Sequence, residues 1–323
     1  MKNKILALVL IGFLGVYLVP TFLANANNSQ GQDHRAYPEF KSLPATDVEI
    51  VKKATLPGKG KPAKPGKPPA EPSTYATGVL GQPLPEGGIR YAIVVGIANY
   101  PGTANDLKYP DEDANAIFDV LTTKYGFSSD NIRLLVDAGD GPTEAVPTNA
   151  TAQKIQEAIL EIKGLATTND EVVFFYSGHG GKGIADDGDT EKKDESIIVH
   201  DGESALHFWD GQLATLFSGF STSRIVFIFD SCVAGGMTDL AKTGRIINMA
   251  TEESGRFESA YEFDSLGYGE FTYYFVVQGM NGLADTSITD GYITTEEAFD
   301  YAKANTVSDH PTISDKFTDD LLL

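Results

Sequence analysis

The chain has one cysteine, Cys232, in the loop Asp230-Ser231-Cys232-Val233-Ala234-Gly235-Gly236. One of its five histidines, His179, stands in a second loop, Ser177-Gly178-His179-Gly180-Gly181. A thiolate is a strong nucleophile, and an imidazole beside it lowers the thiol pKa from about 8.5 and then hands its proton to a leaving amine. Cys232 and His179 are therefore the candidate nucleophile and the candidate base and acid. The flanking glycines let backbone amides come close to a ligand, and those of Gly180 and Cys232 are the candidate donors to a developing oxyanion. A lone cysteine is most often a buried apolar thiol, and a lone loop histidine most often a packed one. Two such loops together favour chemistry. His34, His200, His207 and His310 have no comparable surroundings and are assigned no role.

Each loop follows an apolar run, VVFFY at Val172–Tyr176 and IVFIF at Ile225–Phe229, of the kind that forms a strand buried on both faces. Further strands are expected at Tyr91–Ile97 and Ile132–Val136, with a weaker one at Arg245–Ala250. Helices are expected at Asp111–Tyr125, around Ile155, Ile159 and Ile162, at Phe271–Met280 and at Thr294–Ala304. Strands alternating with helices make an α/β chain with a parallel, doubly wound sheet, in which ligands bind outside the carboxyl ends of the strands. Both loops fall there. Asp230 precedes Cys232 by two residues, as Ser177 precedes His179, so the pair is positioned to line one pocket.

With 323 residues, one main domain is expected. Met1–Ala26 reads as a signal peptide: two lysines, an apolar run and the small-x-small end Ala24-Asn25-Ala26. The run approaches the ~20 residues of a membrane span, so an uncleaved anchor is the alternative, and only then is a membrane a partner. Either way the expectation is a protein secreted or held at the cell envelope. Residues 27–89 read as a flexible basic linker or pro-segment, with the Pro/Lys/Gly stretch Leu56–Ser73 at its centre. The boundary is set near Gly88, and 90–323 is taken as the folded domain. Up to residue 89 the chain has 10 Lys/Arg and 6 Asp/Glu, against 15 and 39 beyond it. That acidity argues against nucleic acid and for basic substrates or divalent cations, though solubility alone would also account for it.

The YSGHG and DSCxxGG loops, with the opening YAIVVGIANY, the later FTYYFVVQGM and the closing DGYITTEEAFDYA, resemble the caspase-like p20 region of metacaspases, paracaspases and prokaryotic caspase-like peptidases. The resemblance spans roughly Arg90–Lys303. It implies a three-layer sandwich with a mostly parallel central sheet flanked by helices, and a cysteine endopeptidase with a His179–Cys232 dyad and no organic cofactor. By the same resemblance Asp113, Ser177 and Asp230 form a pocket for Arg or Lys, so the expected partners are peptides or proteins with basic residues. Asp194, Asp210 and Asp239 match the aspartates of calcium-activated members. The sequence departs from the pattern at Val233, where metacaspases often have histidine, and at Gly211, where calcium-activated ones often have aspartate. The acidic segment Ile184–Glu195 offers further hard oxygen donors. Peptidases of this kind are commonly made with a segment to be cut or displaced. Lys52–Lys67 and the stretch with Lys242 and Arg245 are the candidates, and Lys52, Lys53, Lys59, Lys242 and Arg245 are the expected points of self-cleavage. Two other classes fit the same residues: a catalytically silent peptide-binding module, and a clostripain- or legumain-like peptidase or peptide ligase.

Overall fold

The computed structural model describes residues 37–57, 75–137, 149–188, 191–287 and 289–323. Met1–Ala26 and most of Leu56–Ser73, Lys59 included, lie outside them. In chain order the strands are β1 (Ala45–Val51), β2 (Ala54–Leu56), β3 (Arg90–Ile97), β4 (Ile132–Asp137), β5 (Glu171–Ser177), β6 (Gly180–Ala185), β7 (Asp194–His200), β8 (Ala205–Trp209), β9 (Ile225–Asp230), β10 (Arg245–Met249), β11 (Tyr261–Phe263), β12 (Tyr268–Gly269) and β13 (Thr312–Asp315). The helices are α1 (Pro110–Thr123), α2 (Ala152–Leu165), α3 (Asp210–Ser218), the single turn α4 (Glu270–Thr272) and α5 (Thr295–Asn305).

The main sheet has the order β13-β10-β9-β5-β3-β4, parallel throughout except at the edge strand β13. Strand periodicity divides its side chains between two cores. Val173 and Phe175 of β5, with Val226 and Ile228 of β9, face α1 and α5, where Ile117, Leu121 and Phe299 close the layer. Phe174, Tyr176, Phe227 and Phe229 face the other way, against Ile155, Ile159 and Ile162 of α2 and Phe217 of α3. Being covered on both sides, β5 and β9 have no exposed residue, which is why they read as unbroken apolar runs. Each buried Phe or Ile contributes about 1.5–3 kcal/mol relative to an exposed one. This is the expected three-layer sandwich. Because β3 leads to β4 on one side and to β5 on the other, the strand order reverses between β3 and β5, and a crevice opens at their carboxyl ends.

The structure differs from the sequence reading in several places. Residues 27–89 are not linker throughout: β1 pairs antiparallel with β6, and β2 pairs parallel with β11. These strands exist by adding to exposed edges rather than by burying a face of their own, so their polar composition hides them. The helix expected at Phe271–Met280 is the turn α4 followed by a wide π-type helix, Tyr273–Leu283. Arg245 is no flexible cleavage point. It is buried, and its guanidinium donates to the carbonyls of Leu240 and Phe217. No helix of the described residues is long and apolar enough to cross a membrane.

Candidate active site

β5 and β9 are neighbours, with Ser177 opposite Asp230, so the loops that follow them leave the sheet side by side. They touch at Gly180, where any Cβ would land on the Cys232 carbonyl. Only glycine allows this approach. Val233, directly after the cysteine, adopts a left-handed φ of 51°. Such a backbone costs a β-branched residue about 1–3 kcal/mol and persists only where its surroundings enforce it. One such restraint is the bond from the Val233 amide to the Glu258 carbonyl at 2.7 Å.

His179 is held on three sides. Tyr100 stacks on its ring at 5.0 Å and accepts from its amide through the phenol oxygen, while the Tyr176 hydroxyl donates to its carbonyl. Nδ1 accepts from the Lys53 amide at 3.0 Å, which leaves the ring proton on Nε2 to donate to the Asn105 carbonyl at 2.8 Å. Burial, opposed only in part by that Asn105 bond, pushes the imidazole down to about 4, and the charges of Lys52 and Lys53 push the same way. Cys232 Sγ accepts from the Ala260 amide at 3.2 Å. Burial pushes its thiol up to about 12. As folded, then, both groups are uncharged and the proton is on sulfur.

Beside them, Asp113, Ser177 and Asp230 do come together, and they surround a cation. Lys53 Nζ lies 2.6 Å from Asp230 Oδ1, 3.5 Å from Asp113 Oδ2 and 3.2 Å from Ser177 Oγ, with the side chains of Lys53 and both aspartates fully buried. Burial alone would lower the Lys53 ammonium, but Asp230 and Asp113 together raise it well above its ordinary value. Asp113 is pushed up to about 7 because burial and the charge of Asp230 outweigh the pull of Lys53. Asp230, at 2.6 Å against 3.5 Å for Asp113, is the nearer ion partner. Thr272 fixes it by donating from both its amide and its hydroxyl to Oδ2, and Gly269 and Ser177 fix Asp113 in the same way.

On the far side of the cysteine loop, Asp210 and Asp239 are joined by Glu191, with one carboxylate oxygen from each within 4.8 Å of the others; Glu191, Glu195 and Glu253 form an overlapping cluster. Asp194 is in neither cluster and instead accepts from the Ala185 amide at 2.6 Å. Burial, with Asp187, Asp239, Glu195 and Glu191 nearby, pushes Asp210 up to about 10; burial, with Glu253 and Glu191, pushes Glu195 up to about 8. Asp210 Oδ2 and Glu195 Oε2 are buried without a hydrogen-bond partner. Such a set of hard oxygen donors is of the type that calcium takes. Gly211 leaves its space to Asp187, whose carboxylate accepts from the Gly211 amide at 3.1 Å. A carboxylate from the preceding loop thus stands where position 211 has none.

A mostly parallel sheet between two helical layers, with histidine and cysteine loops at the ends of adjacent strands, defines the caspase-like class. Residues 90–241 match the family described as metacaspase, peptidase C14 domain. Metacaspase-1 of Kluyveromyces lactis is 35% identical over 159 residues, covering 48% of this chain and 36% of that protein. Metacaspase-4 of Arabidopsis thaliana is 31% identical over 181 residues, 55% and 41% of the two chains, and metacaspase-1 of Candida albicans 30% identical over 244, 70% and 51%. Residues 90–241 thus form a domain of the caspase-like metacaspase type, in a chain that spans about half or less of the length of these relatives. A solved structure of a protein from Geobacter sulfurreducens shares the fold at TM-score 0.50 and 15% identity, over 71% of this chain and 94% of that one.

Several residues of the site escaped the sequence reading. Lys53 was one of several lysines in an apparent linker. The Asn105 carbonyl and the Ala260 amide are backbone groups that no residue type announces. Glu191, Glu195 and Asp187 lay within a segment read as a source of hard oxygen donors, with none of the three singled out.

Proposed function

We propose that this chain is a cysteine endopeptidase that cuts after lysine or arginine, is made in a latent form and is switched on by calcium. One observation carries the reading: Lys53 sits in the Asp113–Ser177–Asp230 pocket while its own amide caps His179. A pocket that takes a buried lysine between two carboxylates selects basic residues by charge-assisted hydrogen bonds. In the open enzyme, His179 Nδ1 takes the thiol proton as Cys232 Sγ bonds to the scissile carbonyl carbon. The oxyanion so formed lies toward the Gly180 and Cys232 amides. The imidazolium then protonates the leaving nitrogen, and water releases the acyl group from sulfur by the reverse sequence. Asp210, Asp239 and Glu191 would hold calcium, whose charge would relieve the repulsion among these acids at the base of the cysteine loop. The amino-terminal stretch Met1–Ala26 is proposed to direct export.

The test is cleavage of arginyl, lysyl, aspartyl and asparaginyl reporter peptides by the full chain, with calcium and with chelator, beside Cys232→Ala. Basic reporters cut only by the cysteine-bearing protein are the expected result. A preference for aspartyl or asparaginyl peptides would refute the basic pocket, and no cleavage of any peptide would leave a binding module.

A further inference from the structure

The segment that carries Lys53 crosses the site in the wrong direction to be a substrate. Productive cleavage needs the pocket residue to present its own carbonyl carbon to the sulfur, with the nitrogen of the next residue at the imidazole. Here the nitrogen at His179 Nδ1 is that of Lys53 itself, so the bond facing the imidazole is Lys52–Lys53. The residue on the acyl side of that bond is Lys52, whose ammonium lies outside the pocket on the Ala104 carbonyl. The other candidate bond, Lys53–Ala54, has the right side chain in the pocket, but its nitrogen donates to the Ala260 carbonyl at 3.3 Å, on the β11 side. Neither bond meets both conditions.

The strand pairing records the same polarity. The chain arrives along β6, which begins immediately after His179, with Val51 opposite Gly180, and leaves along β11, with Ala54 opposite Tyr261. It therefore runs from the side where the leaving amine belongs to the side where the acyl portion belongs. A substrate laid the other way would pair antiparallel, not parallel, with β11. Some twelve residues are held at both edges with a buried ion pair between, so the inserted strand is anchored well beyond its one side chain.

We propose that residues 45–56 are a reverse-polarity inhibitor strand, which fills the basic pocket with Lys53 but offers no cleavable bond there, so that latency is lifted by displacing the strand and not by cutting it at Lys53. The proposal rests on the peptidase reading for its consequence, but its geometry can be tested separately. It also excludes Lys52 and Lys53 as points of self-cleavage while the strand is seated.

Two measurements on the full chain in calcium decide it. In the first, Lys53→Met is compared with wild type for arginyl-reporter cleavage and for alkylation of Cys232 by iodoacetamide; both should accelerate about tenfold or more as the closed population falls. Lys53→Arg, which refills the pocket, should restore slow alkylation. Equal rates in wild type and Lys53→Met would overturn the inhibitor role while leaving a peptidase. In the second, wild type and Cys232→Ala are incubated overnight and their amino termini sequenced. No terminus at Lys53 or Ala54 is expected in either. A terminus at Ala54 in wild type alone, formed at a rate independent of protein concentration, would mean that the seated strand can lie productively, and would overturn the polarity. If no reporter is cut by either protein yet Lys53→Met is alkylated faster, the inhibitor strand stands and the peptidase reading falls.

Discussion

Replacing Asp230 by asparagine tests the pocket from both sides, because the same carboxylate holds Lys53 in the latent chain and is proposed to hold the basic residue of a substrate. Oδ1 meets the Lys53 ammonium at 2.6 Å with both side chains fully buried, and Oδ2 accepts from the Thr272 amide and hydroxyl. Asparagine removes the charge, and whichever way its amide turns, an NH2 group faces either the ammonium or the Thr272 amide. Breaking one side of a buried pair costs about 3–5 kcal/mol. Because asparagine retains one acceptor, the lower end applies, and about 3 kcal/mol is roughly a 100-fold change in rate. The ratio of kcat/KM for a lysyl over a norleucyl reporter should fall by about that factor in Asp230→Asn. Alkylation of Cys232 should rise in the same variant, since Lys53 loses the same partner. An unchanged lysyl-to-norleucyl ratio would refute the assignment of Asp230 to specificity. A collapsed ratio with unchanged alkylation would mean that the strand is held by its edges and not by its lysine.

Cys232→Ala and His179→Ala should each lower peptide cleavage by about 10⁴-fold or more, and the double variant little further, because the two act as a unit; near-additive losses would separate them. Gly180→Ala should cripple cleavage with the dyad intact, because its methyl displaces the Cys232 carbonyl and drives the two loops apart; a variant with wild-type kcat would show that the contact yields. Calcium binding, followed through the single tryptophan, Trp209, beside Asp210, should tighten as pH rises from about 6 to 8. Asp210, a proposed ligand whose folded pKa is pushed to about 10, must release its proton to bind, and Glu195 of the overlapping cluster, pushed to about 8, loses its own in the same range. An affinity that is flat over that range, or that survives Asp210→Asn unaltered, would count against the cluster as a calcium site.

What the sequence disclosed was whatever a residue type or a period can carry. The continuous runs at β5 and β9 read as strands because both their faces are covered, and the glycines around His179 and Cys232 advertised close backbone approach. The antiparallel sheet β1-β6-β7-β8 was missed, since β1 is mostly exposed and β6 is Gly-rich, so neither has a periodic apolar face. Ser177 and Asp230 were paired by their two-residue offset from the dyad and Asp113 was added by resemblance, and the structure brings all three together; their occupant was invisible because nothing local distinguishes Lys53 from Lys52. One is buried and its neighbour exposed only because a strand turns over between two sheet edges. The aspartates proposed for calcium were half legible. Asp210 and Asp239 meet, but their link, Glu191, comes from a loop whose path no spacing rule fixes.

The burial of Cys232 bears on how long the protein keeps in an oxidising medium. Oxidation of a cysteine to sulfenic acid or to a mixed disulfide proceeds through the thiolate and needs access to the sulfur. In the latent chain the sulfur is fully enclosed, and its thiol is pushed up to about 12, so at neutral pH almost none of it is ionised. The protein has no second cysteine to form an internal bridge that could later be reduced. An exposed thiolate oxidised beyond sulfenic acid would be lost for good. On the inhibitor-strand proposal, the strand that silences the site also preserves it, and the redox lifetime of the nucleophile begins only when the strand leaves.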